Sequence, residues 1–222
     1  MRTGMRVMGG LVLVVAFAAS AGAQSLGVKG GWAHPTLAGK DAEGAKALNT
    51  FSGGGFLSAK VSPAFAVEVD ALYALKGAQE TAEGVTAKVK LGYIEVPVLA
   101  RVIVPVEKSK VEPSIFAGPY IAFKTSCKVK GSAEGISVSM DCSEMEGGAI
   151  KSTDFGLAFG GGVAFPLGTR VSGLLEGRYD LGLTKIDDGT PQADVKNRSL
   201  MVFAGVSIPV GRRAQVESMR TR

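Results

Sequence analysis

The chain is predicted to fold as an all-β, eight-stranded antiparallel up-and-down transmembrane β-barrel, and three observations predict it. The first is a strict two-residue period. From residue 65 the apolar positions are Phe65, Val67, Val69, Ala71, Tyr73 and Leu75, while Glu68, Asp70 and Lys76 fall between them. Residues i and i+2 share one face of a strand, so this pattern makes one face apolar and the other charged. The second is recurrence: eight such segments follow one another, an even number as membrane barrels require. The third is that their connections alternate long and short, as they do when turns lie on one side of a membrane and loops on the other. Hydrophobic residues make up 46% of the chain, yet after the N-terminus no segment is long and uniformly apolar enough for a spanning helix.

The N-terminus has the form of an export signal. Arg2 and Arg6 precede an apolar stretch from Leu11 to Ala18, and Ala21-Gly22-Ala23 supplies the small residues of a cleavage site between Ala23 and Gln24. The expected organisation is a signal peptide over 1–23, a barrel domain over 24–210 and a basic tail over 211–222. No cysteine follows the cleavage site, so no lipid anchor is expected there. The formal charge of +5 falls to +3 once Arg2 and Arg6 are removed, and without a clustered basic stripe it does not point to nucleic acid.

The strands follow in order. A short first strand is expected over Leu26–Trp32, then a polar loop from Ala33 to Asn49. The second runs from Thr50 to Val61, with Phe51, Leu57, Ala59 and Val61 on one face, and Ser62-Pro63-Ala64 is a tight turn. The third is the segment already described, ending at a loop over 77–84. The fourth, Val85–Val104, divides into Ile94, Val96, Val98, Ala100, Val102 and Tyr93, Glu95, Pro97, Leu99, Arg101. Residues 105–110 turn the chain into a fifth strand, Val111–Thr125, and the longest loop spans 126–151. The sixth strand carries Phe155, Leu157, Phe159, Val163 and Phe165 against Asp154, Gly156, Ala158, Gly160 and Gly162. The turn Pro166-Leu167-Gly168 leads to the seventh, where Val171, Leu175, Tyr179, Leu181 and Leu183 oppose Arg170, Ser172, Glu176, Arg178 and Asp180. After a loop over 185–194, the eighth strand places Leu200, Val202, Ala204, Val206 and Ile208 on one face and ends near Val210.

A membrane barrel turns its apolar face to lipid, the reverse of a soluble lipocalin-type barrel. The inward residues are then Lys29, Lys60, Glu68, Asp70, Glu95, Arg101, Glu112, Lys124, Asp154, Arg170, Glu176, Arg178 and Asp180. Eight strands leave room for side chains but no wide channel. Buried charges need partners, so Glu68, Asp70, Glu95, Arg101, Glu176, Arg178 and Asp180 are expected to form a lumen network. Tyr73, Phe123, Phe165 and Tyr179 suit interfacial girdles, and Lys88 and Lys90 lie on the outward face near the loop end of their strand.

The two cysteines, Cys127 and Cys142, bracket a Gly- and Ser-containing stretch. In an exported chain an even pair predicts a disulfide. At this separation loop closure is worth on the order of 3 kcal/mol. A thiol or half metal site is the alternative, with no CxxC and only His34 for company.

Four short motifs carry a family resemblance: Gly27-Val28-Lys29-Gly30-Gly31, Tyr93-Ile94-Glu95-Val96-Pro97, Ala117-Gly118-Pro119-Tyr120, and Leu175-Glu176-Gly177-Arg178-Tyr179-Asp180-Leu181-Gly182-Leu183. In order and spacing they resemble the outer-membrane β-barrel "porin family", the PorT-like group, across essentially the whole mature chain. The resemblance implies an eight-stranded barrel of the small OmpX/OmpA type in the cell outer membrane, surrounded by outer-membrane lipid and inserted by the barrel-assembly machinery. One departure is that the last strand ends Ser207-Ile208-Pro209-Val210, without a terminal aromatic residue, before the basic tail.

No catalytic motif is present: no GxSxG, HExxH or P-loop. Gly53-Gly54-Gly55 and Gly160-Gly161-Gly162 lie inside strands, where they relieve crowding. His34 sits beside Pro35 with no evident partner, and Asp187-Asp188-Gly189 reads as a turn rather than a cation site. Neither a cofactor nor a metal is called for. The expected role is structural, adhesive or envelope-interacting, with loops that contact extracellular or envelope proteins. A narrow pore for ions or small solutes and a secreted barrel holding an apolar ligand are the alternatives.

Overall fold

A computed structural model describes residues 23–82, 85–107, 109–133, 136–144, 150–189 and 193–210. The expected signal segment short of Ala23 and the tail over 211–222 lie outside these residues. The strands are β1 (Ala23–Ala38), β2 (Thr50–Ser62), β3 (Phe65–Ala82), β4 (Val85–Ile103), β5 (Glu112–Ala133), β6 (Ile136–Asp141), β7 (Thr153–Pro166), β8 (Ser172–Gly182) and β9 (Lys196–Val210), with one 3-10 turn at Cys142–Glu144. All pairings are antiparallel. β4 closes on β5 and β1 on β9, so the eight strands other than β6 form a ring.

The alternation of the sequence becomes the two surfaces of this ring. Leu26, Val28, Phe65, Ile115, Leu157, Leu175, Val202, Val206 and Ile208 are exposed on the outside, while Lys29, Glu68, Asp70, Glu95, Glu176, Arg178 and Asp180 are buried within. An exposed apolar wall around a charged interior is the arrangement that lipid requires, and it excludes the soluble barrel with an apolar lumen. Sliding any strand by one residue would carry its charges onto the lipid face, so register is strongly specified.

The expected strand bounds hold closely for β2, β4, β7, β8 and β9, and four expectations need correction. First, β1 is long rather than short. The stretch expected as loop from Ala33 pairs with β9 as far as Ala38, opposite Lys196. Pro35 is tolerated because it lies past the last β2 pair, at Ala33–Thr50. Its carbonyl accepts from Leu48 N on the β2 side, so the donor it lacks faces away from β9 and costs the ladder nothing. Second, residues 77–82 extend β3 and pair with β4 up to Ala82–Val85, replacing a long loop by a projecting hairpin. Third, the expected loop over 126–151 contains the rest of β5 and all of β6, paired from Lys128–Asp141 to Ala133–Ile136. Fourth, Arg170 is exposed in the β7–β8 turn, at the mouth of the turn-end cavity rather than inside the wall.

The glycine-rich strands make room in the lumen. A Cβ on Gly156 would stand 2.6 Å from the Tyr120 ring, and one on Gly160 would stand 2.8 Å from Phe116 and 2.1 Å from Gly177 O. Both rings are buried; the missing side chains leave them space in a narrow interior.

Candidate functional site

The lumen is filled in layers along the barrel axis. At the end of the short turns lies a cavity of about 410 Å³ whose lining includes Ser58, Lys60, Glu68, Arg101, Glu112 and Glu176. Lys60 and Glu112 belong to its rim: their salt bridge at 2.6 Å is roughly half exposed, so these two expected lumen charges face water.

Above the cavity the first charged layer is built by β1, β3, β4 and β8. Lys29 Nζ lies 2.8 Å from Asp70, 3.1 Å from Glu68 and 3.2 Å from Glu176. Arg101 Nη2 lies 2.9 Å from Glu68 and 2.8 Å from Glu176, its Nη1 donates to Ser114 Oγ at 2.9 Å, and its guanidinium covers the Phe116 ring. The second layer centres on Arg178, which is fully buried. Its Nε donates to Asp180 at 2.7 Å, its Nη1 reaches Asp70 at 3.3 Å and its Nη2 donates to Glu95. Lys76 joins Glu95 at 2.5 Å and lies 4.3 Å from the centre of the Tyr120 ring. Asp70 therefore ties the two layers together.

The seven expected network residues thus meet in the lumen, with partners that differ from simple neighbours in sequence. Arg101 passes over Glu95 to reach Glu68 and Glu176; Glu95 pairs instead with Arg178 and Lys76. Asp154 accepts from Thr184 Oγ1 at 2.7 Å and Asn197 Nδ2 at 2.9 Å. Lys124 Nζ donates to the Ile150 carbonyl. Sequence reasoning put Lys76 and Tyr93 on the charged faces of their strands without counting them in the network, and left out Tyr120 and Asn197. Lys76 carried a usable signal, since it continues the parity of Glu68 and Asp70.

An apolar cap covers the charges at the loop end. Leu91, Tyr93, Cys127, Cys142 and Ile186 are buried together, with Leu37, Val89, Val129, Ile150 and Val195 packed against them. The β8–β9 connection folds inward to supply Ile186: its N donates to Val195 O, its carbonyl accepts from Lys151 N, and Asp187 Oδ2 accepts from Gly189 N and Ala193 N. Asp187-Asp188-Gly189 is thus a side-chain-capped turn.

Cys127 and Cys142 are disulfide-bonded, with Cα atoms 5.5 Å apart. They occupy the register position next to Lys128–Asp141, so the bond clamps the base of the β5–β6 hairpin. Beyond the clamp every residue of β6 is exposed, including Ile136, Val138 and Met140. His34, expected in a loop, lies in β1. Its ring stacks on Trp32, and Asn49 Oδ1 lies 3.1 Å from both His34 Nδ1 and Trp32 Nε1. This cluster forms part of the outer aromatic belt, and among the described residues no acid and nucleophile are paired with it.

Residues 23–188 match the family described as "outer membrane protein beta-barrel domain". No curated protein sequence matches significantly. Among solved structures, a major outer membrane protein from Thermus thermophilus aligns at a TM-score of 0.51 with 11% identity, over 85% of this chain and 100% of its own. Neisserial surface protein A aligns at 0.50 with 17% identity, over 84% and 98% respectively. The outer membrane protein OprG from Pseudomonas aeruginosa aligns at 0.47 with 12% identity, over 88% and 99%. At these identities the likeness concerns the fold.

Proposed function

This chain belongs to the outer membrane protein β-barrel domain family, and from that premise we propose that it is a non-conducting, non-catalytic barrel whose work is done by the loops and the clamped hairpin it holds outside the cell. The short turns at 63–64, 104–111 and 167–171 face the periplasm in this reading, as do the start of β1 at Ala23 and the end of β9 at Val210, and the long connections and the β5–β6 hairpin face outward. The barrel-assembly machinery places it there, and its counterparts are extracellular or envelope proteins.

The observation that carries the reading is the closure of the lumen. A solute entering the cavity of about 410 Å³ meets Lys29, Arg101, Glu68 and Glu176 locked to one another, then the Arg178 layer, then the cap around Ile186. Opening a path would separate buried ion pairs, each costing about 3–5 kcal/mol to break. No comparable expenditure is needed for the hairpin to act, because it already stands in water.

The test has two parts. Folded protein in a planar bilayer should give no unitary conductance; stable unitary steps would establish the narrow pore instead. A photo-reactive residue at Val138 should cross-link intact cells' envelope or surface proteins, whereas one at Thr169 in the β7–β8 turn should not. Equal yields from the two positions would remove the hairpin from the proposal.

A further inference from the structure

Four lysines stand on the outer wall where β4 and β5 leave the barrel. In the β4–β5 ladder Lys90 lies directly opposite Lys128, and Lys88 directly opposite Lys130. Side chains of directly paired residues share a face, and like charges so placed repel. The face is the outward one, since Leu91, Tyr93 and Glu95, of the other parity, are buried in the lumen. The neighbouring strands set one carboxylate beside the four, Asp141 opposite Lys128, and leave the other three without one. Gly77 and Gln79 flank the lysines from β3, and Asp141 and Ser139 flank them from β6. Among the described residues, no carboxylate lies within salt-bridge distance of any of the four. Lys46, bridged to Gln79, continues the upper row.

Their height follows from the register. Tyr73, Ile94 and Phe123 form one outward row of the apolar belt, each about two-fifths exposed. The next outward row is Leu75, Gly92 and Ser126. There a Cβ on Gly92 would meet Ser126 Oγ at 2.5 Å, Tyr73 Oη at 2.8 Å and Thr125 Oγ1 at 3.1 Å. Three hydroxyls converging on the wall mark the upper limit of the hydrocarbon, where tyrosine turns its polar end to the interface. The Lys90–Lys128 row is two residues higher, about 7 Å along the strands or roughly 5 Å in height for strands tilted by about 45°. The Lys88–Lys130 row rises by the same step. A headgroup layer is about 5–7 Å deep on each side of the hydrocarbon core, so the lower row lies within it and the upper row stands just above it, where long lysine side chains reach back toward the headgroups.

We infer that Lys88, Lys90, Lys128 and Lys130 form a binding site for the anionic phosphate groups of outer-leaflet lipids, seating the barrel on this side against those headgroups. Opposed ammonium pairs that are unfavourable in the bare protein become a clamp once a phosphate lies between them, and a tetrad at headgroup height meets phosphates presented by the membrane itself. The inference rests on the loop end facing the outer leaflet; it is independent of whether the lumen conducts.

The test uses the whole folded barrel, with insertion verified by the heat-dependent shift in gel mobility. Acylation rates of individual lysines are measured by mass spectrometry in vesicles of phosphatidylcholine alone and of phosphatidylcholine with bisphosphorylated lipid A. Exposed Lys40, in the β1–β2 loop, is the internal reference. Lipid A should slow the four lysines by about five-fold, the factor that attraction to an anionic surface confers on one lysine, and should leave Lys40 unchanged. Equal rates in the two vesicles, or equal slowing at Lys40, would overturn the site. Slowing by soluble inorganic phosphate in phosphatidylcholine vesicles to the same degree would overturn its assignment to lipid. Independently, K88Q/K90Q/K128Q/K130Q should retain several-fold less lipid A than the parent protein in native mass spectrometry, and undiminished retention would refute the inference.

Discussion

Two sets of four cations occupy this molecule under opposite conditions. Lys29, Lys76, Arg101 and Arg178 lie in the lumen, and each has a carboxylate within salt-bridge distance. Lys88, Lys90, Lys128 and Lys130 lie on the outer wall above the aromatic belt and face one another. The first set satisfies its charge within the protein because the lumen offers no other partner; removal from water makes an unpaired ion there very costly. The second set is wet and can leave its charge to the surroundings. A charge on a barrel strand thus has its meaning set by parity and height, parity choosing lumen or lipid and height choosing hydrocarbon or headgroup.

The comparison can be broken first from the inside. Arg178→Ala strands Asp180, Glu95 and Asp70 without their shared cation. It should lower barrel stability by about 3–5 kcal/mol, read as a shift in the urea midpoint of the heat-modifiable form; an unchanged midpoint would show that the layer is not energetically coupled. Next comes the wall. Val98→Arg or Val206→Arg puts a cation on the mid-wall lipid face and should cost about 2–4 kcal/mol, abolishing stable insertion, whereas normal insertion of both would reverse the assignment of faces. Cys127→Ser should leave the mobility shift intact while β6 becomes several-fold more sensitive to protease, because on the order of 3 kcal/mol of loop-closure entropy no longer holds the hairpin base. Unaltered cleavage would mean that the ladder alone suffices. The smallest effect is expected at the rim, where Lys60→Ala removes a half-exposed salt bridge to Glu112 and should change stability by less than about 1 kcal/mol in the same urea titration.

Much of the barrel was legible because alternation is a local property. Glu68, Asp70, Glu95, Arg101, Glu176, Arg178 and Asp180 announced their face by parity alone. Their partners were not legible, since Arg101 finds Glu176 only after the ring has closed and the registers of several ladders have been combined. The outer hairpins were missed for a different reason. Ile136–Asp141 is exposed at every residue and the β5 segment that pairs with it stands above the hydrocarbon, so no lipid imposes an apolar period and both read as loop. At β1, Pro35 reads as a strand end until the ladder shows that its missing donor faces away from β9. Lys76 already shared the face of Glu68 and Asp70 in the sequence, but at the expected end of its strand it was not counted among the lumen charges.

The order of the strands has a consequence for how this wall is made. Nearly every ladder joins strands that follow one another in the chain, and β5–β7 skips only the small hairpin strand. The exception is β1 with β9, which pairs residues 24–38 with 196–210. The barrel can therefore zip from hairpin to hairpin and leave one seam to the end. Lys29 sits on that seam, on β1, and its partner Glu176 lies on β8, beyond β9. Before closure the two are at opposite edges of an open sheet; afterwards they are in contact. The buried ion network is thus also a clasp, complete only when the ladder between the two ends of the domain has formed, and held shut by the same charges that fill the lumen.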